Sequence, residues 1–409
     1  MKKITLYTLF TLLSLPLVAD DNKTNWVYFG EFKTYFAKIH KSKLKTSNFD
    51  ELLTYNSLQL NIDYLNKNFY LSVTPYAYIY ITESGDELLG ANYNKTFKDK
   101  DLFFRSLYMS YSFNKLTFGA GILPLSNSFP MHFTKDYYQD GEGLNIISDL
   151  DPLAIFAKYR FNDENKILIG TGVLDAKFIP TGHYINEHNI DKSYGIFITQ
   201  TVIEGKFKII NDFKYTDIYF DKIETGEIFN AGVGFSWDDS EYSGWTFYNT
   251  TALSLYKNNS IAAKDAIIDS NTKITPLAIS NFPHSFVFDN KTYKGAANLF
   301  GFRKDLDLFN IESFINFEWF HTFSDWVSTN KGAPYNSNCN QISNTRDNSY
   351  FINYGIRVNE LSTLKINYTY IEFIETENIG APSSTSVEES FGAQRDFADI
   401  LKISFSYKF

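Results

Sequence analysis

Apolar and polar residues alternate along most of this chain with a period of two. In Tyr350–Glu360, Tyr350, Ile352, Tyr354, Ile356 and Val358 share one face, and Asn353, Gly355, Arg357 and Asn359 share the other. Leu364, Ile366, Tyr368 and Tyr370 oppose Lys365, Asn367 and Thr369. Phe229, Ala231, Val233, Phe235 and Trp237 oppose Asn230, Gly232, Gly234 and Ser236. The last nine residues keep the pattern, with Leu401, Ile403, Phe405, Tyr407 and Phe409 set between Lys402, Ser404, Ser406 and Lys408. Such alternation is the signature of β-strands with two different faces. About sixteen segments carry it, each near the roughly 9–11 residues of a tilted membrane strand.

The links between segments differ in length in a regular way. Short ones fall at 66–68, 114–115, 162–165, 204–205, 308–310 and 359–363. Long ones fall at 41–51, 83–101, 124–152, 175–193, 257–295, 325–349 and 375–396, while 221–227 and 238–243 blur the rule. Tight turns on one side and long loops on the other describe an up-and-down barrel. A soluble sandwich has no reason for that alternation, and no repeat of about 20–50 residues suggests a solenoid or propeller. The expectation is an all-β, transmembrane antiparallel barrel of about sixteen strands, with short periplasmic turns and long external loops. Eighteen strands is the alternative if two long loops hide strands. In such a barrel the apolar register meets lipid and the polar register lines a wet lumen, so the polar half of each strand is the candidate functional surface.

Composition sharpens this picture. Apolar residues make up 44% of the 409, which does not announce a membrane protein, but aromatic residues reach 18%, with 39 Phe, 29 Tyr and 5 Trp. That excess suits interfacial aromatic girdles. One cysteine excludes an internal disulfide. The net charge of −9, with no basic block interleaved with aromatics, argues against nucleic acid as a partner. Lys2 and Lys3 precede an apolar run to Val18 that ends at Ala19 before Asp20 and Asp21, which reads as a signal peptide spanning 1–19 ahead of a barrel at 20–409. Cleavage there leaves 36 basic against 47 acidic residues, a mature charge of −11.

The final strand resembles the C-terminal assembly signal of Gram-negative outer-membrane proteins, a terminal aromatic preceded by alternating hydrophobic residues: here Phe409, Tyr407, Phe405 and Ile403. The whole layout resembles the sixteen-stranded porins. That resemblance implies outer-membrane lipid, lipopolysaccharide and the barrel-assembly machinery as partners, a homotrimer, and a third external loop folded inward as a constriction. The corresponding segment is 124–152, with Asp136, Asp140, Glu142, Asp149 and Asp151. A matching basic ladder on the early strands is largely missing, since they supply mainly Lys33.

Inward positions predicted from alternation include Lys33, Lys158, Arg160, Lys208, Lys214, Arg303, Arg357, Lys365 and Lys402, against Glu31, Asp63, Asp212, Asp305, Glu312 and Glu318. The best-defined lining residues are Lys158, Arg160, Arg303, Glu312, Glu318, Arg357 and Lys365. A mixed lining of this kind implies weak ion preference. Tyr76, Tyr78 and Tyr80 form an inward ladder that suits stacking of sugar rings, unless the register flips at Pro75. The function expected is a passive channel for ions and small hydrophilic solutes. The alternatives are a substrate-selective channel, for example for carbohydrates, and a non-conducting surface barrel acting as an adhesin or structural protein.

An enzyme is disfavoured. Of the six histidines, His321 lies within a strand but on the lipid register, where a girdle role fits better than a nucleophile's base. His183 and His188 sit in a loop. No cofactor is expected beyond Ca²⁺ or Mg²⁺ loosely held by acidic loops, because no spacing matches a dedicated calcium loop.

Overall fold

A computed structural model describes residues 26–44, 48–82, 98–125, 152–173, 194–220, 223–258, 292–308, 311–323, 347–373 and 395–409. Sixteen strands run through them. The first eight are β1 (Trp26–Leu44), β2 (Asn48–Asn66), β3 (Phe69–Thr82), β4 (Lys98–Phe113), β5 (Leu116–Ile122), β6 (Leu153–Arg160), β7 (Asn165–Val173) and β8 (Tyr194–Glu204). The second eight are β9 (Phe207–Phe220), β10 (Ile223–Asp239), β11 (Trp245–Asn258), β12 (Thr292–Leu308), β13 (Ile311–Thr322), β14 (Asp347–Arg357), β15 (Ser362–Phe373) and β16 (Arg395–Lys408). Every neighbour pair is antiparallel, and β16 returns to β1, so the sheet is a closed barrel without edges. Closure matters because unpaired backbone groups in hydrocarbon cost several kcal/mol each.

The closing seam ends on Phe409. Its backbone exchanges two hydrogen bonds with Gly30, at 2.8 and 3.0 Å. Its ring lies over Gly30, where an added Cβ would stand 2.3 Å from the ring.

The outward register is apolar and exposed: Phe36, Leu107, Met109, Phe118, Ile155, Ile169, Val233, Leu253, Ile352 and Ile403 all stand in solvent in the isolated chain. Aromatic residues gather at both ends of this band. On the turn side Trp237, Trp245, Phe247 and Phe302 form one run of ring contacts. On the loop side His321 stacks on Trp319 and meets Phe323 edge-on. His321 therefore keeps the outward girdle position that alternation assigns to it.

Among the described residues, turns at 67–68, 114–115, 161–164, 205–206, 240–244 and 358–361 occupy one rim, with the longest links on the other. Asn114 accepts a φ of 54° in its two-residue turn, and Gly205 one of 57°. Two expected links are corrected. The long link at 41–51 shrinks to 45–47, and 221–227 shrinks to 221–222, because β1, β2 and β10 continue beyond their apolar stretches. A strand that rises past the lipid no longer needs an apolar outward face, so alternation fades while backbone pairing goes on. The register does not flip at Pro75 either. The extra residue sits in β4, where Thr74 pairs with Ser106 and Pro75 with Phe104, and Ser72, Thr74 and Tyr76 stay on one buried row.

Candidate functional site: the inward face of the barrel

The inward register is not uniform. It divides into sectors that follow from which residues sit on the polar half of each strand. On β2 to β5 it is lined by hydroxyls and amides. Thr74 Oγ1 donates to Asn61 Oδ1 at 3.1 Å, Ser106 Oγ to Thr74 Oγ1 at 2.7 Å, and Ser112 and Thr117 hydroxyls meet at 2.9 Å. These groups satisfy one another and make this wall polar, with Asp63 of β2 on the same inward row.

On β5 to β8 the loop-side half of the inward face is apolar, which alternation does not anticipate. Leu123, Leu125, Ala154, Phe156, Leu168 and Phe197 form one buried cluster with Tyr108 against it. Glycines make room for the rings. A Cβ on Gly119 would stand 2.2 Å from the Phe156 ring, and one on Gly170 2.2 Å from the Phe197 ring. Leu123 and Leu125 follow β5, so the start of segment 124–152 packs against the inner wall. The Leu123 N–H donates to Pro152 O at 3.1 Å, which ties the two roots of that segment together.

Charged residues of the inward register concentrate toward the turn side. On β6 and β7, Lys158 pairs across with Leu168, and Arg160 with Lys166. On β8 and β9, Thr199 Oγ1 donates to Asp212 Oδ1 at 2.8 Å beside buried Lys214. On β11 to β14, the Tyr248 hydroxyl lies within hydrogen-bond reach of two acceptors, Glu318 Oε1 at 2.5 Å and Asn316 Oδ1 at 3.1 Å. Arg303 pairs with Asp305 at 2.7 Å and lies 4.0 Å from the centre of the Phe314 ring. Arg357 donates to Glu312 at 2.5 Å. Lys33 pairs with Glu31 at 3.1 Å, and Lys402 stands 4.9 Å from the Tyr35 ring.

All nine predicted inward cations and all six predicted inward acids occupy inward register positions. Exposure then separates them. The side chains of Glu312 and Arg357 are 68% and 55% exposed, whereas Glu318 is fully buried. Loop-side inward residues such as Tyr256, Thr322, Ser349 and Asn353 are also out of solvent. Among the described side chains, the inward charges that meet water are therefore those of the turn-side half. Tyr76 lies on the inward row and is buried. The side chains of Tyr78 and Tyr80, like Asp136, Asp140, Glu142, Asp149, Asp151, His183 and His188, lie outside what is described.

Missed by alternation were Lys166, the Tyr248–Glu318 contact and the apolar cluster. Inward glycines opposite inward aromatics were the available signal for the last. Gly301 repeats it under Tyr248 and Gly355 under Phe314. Tyr248→Phe is expected to cost about 1–3 kcal/mol, because buried Glu318 loses a donor while the ring still fills its place over Gly301. A lower denaturant midpoint with an unchanged slope is the measurement that checks it.

No protein-family model matches the chain, and no curated protein sequence does. Solved structures do match. An anion-selective porin from Comamonas acidovorans superposes with a TM-score of 0.53 at 10% identity, over 95% of this chain and 100% of that one. OmpF of Salmonella typhi, in a complex with daunomycin, gives 0.52 at 9% identity over 96% and 99%. OprB of Pseudomonas putida gives 0.51 at 8% identity over 94% of each chain. The chain has the fold of Gram-negative outer-membrane porins.

Proposed function

We propose that this chain is a porin of the bacterial outer membrane, a passive channel for ions and small hydrophilic solutes. The observation that carries the reading is the inversion of its two faces: an exposed apolar band outside and a polar, charged register inside one closed sheet. A passive channel needs a polar lining and a constriction, and it needs no catalytic group. The signal peptide at 1–19 delivers the chain across the inner membrane, the short turns face the periplasm and the long loops face outward. Lys158, Arg160, Arg303, Glu312, Arg357 and Lys365 line the water-filled part, with Glu318 as a buried brace behind it. Segment 124–152 is the constriction. Its support is the anchoring of Leu123 and Leu125 on the inner wall.

Purified protein in a planar bilayer is expected to give stable single-channel steps. Folded protein that gives none would remove the channel reading in favour of an adhesin or structural barrel. Asp140→Asn with Glu142→Gln is expected to shift the reversal potential toward anions, and an unchanged value would place this loop outside the ion path. Native mass spectrometry tests the homotrimer. Current block by maltose-type sugars that is lost in Tyr78→Ala would favour a carbohydrate lane.

A further inference from the structure

We infer that Lys304, on the outward face near the turn-side rim, is the phosphate ligand of a phospholipid site on the outside of the barrel. The occupant is an anionic phospholipid of the leaflet that surrounds the short turns. The site goes beyond the channel reading and does not depend on it, because it lies on the lipid wall and not in the lumen.

Lys304 is a cation on an apolar row. β12 turns Phe300, Phe302, Lys304, Leu306 and Leu308 outward in succession. The cross-strand partners of Lys304 are Trp245 on β11 and Ile315 on β13. Every position that adjoins it on this face is therefore apolar or aromatic. Among the described residues, the acids of this rim are engaged elsewhere. Asp239, on the far side of Trp245, is ion-paired with Lys206. Asp305 is paired with Arg303 on the inward face, and Asp307 lies on the inward row opposite Glu312. Asp238 accepts from the Ser240 N–H at 3.0 Å and the Thr246 hydroxyl at 3.1 Å. Glu241 stands exposed in the turn at 240–244. A charge left unneutralised beside hydrocarbon is costly, and a lysine on the lipid face is tolerated where it reaches the interface. The counter-charge comes from the membrane.

Two further observations make this a built site. First, the ammonium is held in place. It donates to the Ser243 carbonyl and stands 5.1 Å from the centre of the Trp245 ring. The turn that supplies this carbonyl is itself tied down: the Gly244 N–H donates to Asp239 O at 3.1 Å, and Gly244 O accepts from the Asp305 N–H at 2.7 Å. An ammonium has three donors, so two remain for phosphate oxygens. Second, the wall beside it is aromatic. Trp245 stacks on Phe247 at 5.4 Å, and Phe302 lies 6.2 Å from Phe247 and 5.5 Å from Phe317. Indole rings sit at headgroup level. Lys304, in register with Trp245, reaches the phosphates, while Phe247, Phe302 and Phe317 lie deeper, where the glycerol and the first acyl carbons run.

The test is native mass spectrometry of detergent-purified protein mixed with dioleoyl phosphatidylglycerol, or with dioleoylglycerol, which has the same chains and no phosphate. Wild type is expected to retain one phosphatidylglycerol far more often than one dioleoylglycerol. Lys304→Gln, with unchanged gel mobility of unheated samples, is expected to lower that retention roughly fivefold, the share of one lysine at an anionic surface. Lys304→Arg is expected to keep most of it. Lys115→Gln removes another turn-side lysine that donates to a carbonyl, that of Phe161, and is expected to change nothing. Wild-type retention in folded Lys304→Gln would overturn the site. An equal loss in Lys115→Gln would overturn it in favour of overall rim charge. Equal retention of the two lipids by wild type would overturn the phosphate contact. Displacement of the lipid by millimolar glycerol phosphate would overturn the lipid occupant in favour of a soluble phosphate.

Discussion

Replacing Gly30 by valine is expected to break the closing seam of the barrel. The new Cβ would lie 2.3 and 2.5 Å from two carbons of the Phe409 ring, closer than real Cβ contacts come, and a tight 3.0 Å from the Gln59 carbonyl oxygen. The backbone of Gly30 has no unusual conformation to protect, so the effect is one of space. Overpacking of this kind costs about 1–3 kcal/mol, and displacing the ring also frays the last backbone pair, where Phe409 and Gly30 bond each other twice. Phe409→Ala removes the ring and leaves Gly30 open to lipid. The double variant keeps valine but has no ring to strike, so its loss should be clearly smaller than the sum of the two single losses. The measurement is the folded fraction after refolding into detergent, read from the gel mobility of unheated samples. Equal folding of Gly30→Val and wild type would show that Phe409 does not sit where the seam places it.

How far the structure was legible in the sequence can be judged residue by residue. Alternation located the strands because a membrane sheet demands opposite chemistries on its two faces over each strand. It also placed Lys33, Glu312, Arg357 and Lys402 on the inward row, since the register of a closed sheet cannot slip without inverting a whole strand. Two kinds of feature escaped it. Where β1 and β2 run on through Lys41–Leu44 and Asn48–Glu51, no lipid selects the outward face and the signal disappears. Where Phe156, Leu168 and Phe197 point inward, the rule that inward means polar fails, because these side chains meet each other and the root of a segment rather than water. The bulge opposite Pro75 left no trace either, since one extra residue in β4 looks like ordinary noise in a two-residue period. Which inward charges are wet was not readable at all. Glu312 and Glu318 have the same residue type and the same face, and only packing separates them.

Leu125→Asp is expected to change the pore more than the barrel. Leu125 is 1% exposed within the cluster formed with Leu123, Phe156, Leu168 and Phe197. Truncating a leucine in such a place costs about 2–5 kcal/mol, and an ionised carboxylate there costs more than the local packing can supply. The cheapest response is to withdraw the root of segment 124–152 from the wall. The strands need not follow, because their backbone bonds run to neighbours on both sides and do not pass through Leu125. Folding and detergent stability should therefore stay near wild type. Single-channel steps should grow, and limited proteolysis should cut within 126–151 several-fold faster. Leu125→Ala should give the same changes in weaker form, since it leaves a cavity without a charge. The comparison isolates the anchor: Phe118→Ala removes an outward aromatic of the same strand and should leave step size alone. Wild-type steps and wild-type proteolysis in a folded Leu125→Asp protein would mean that this packing does not hold the segment in the ion path. The constriction would then have to be sought elsewhere on the inner wall.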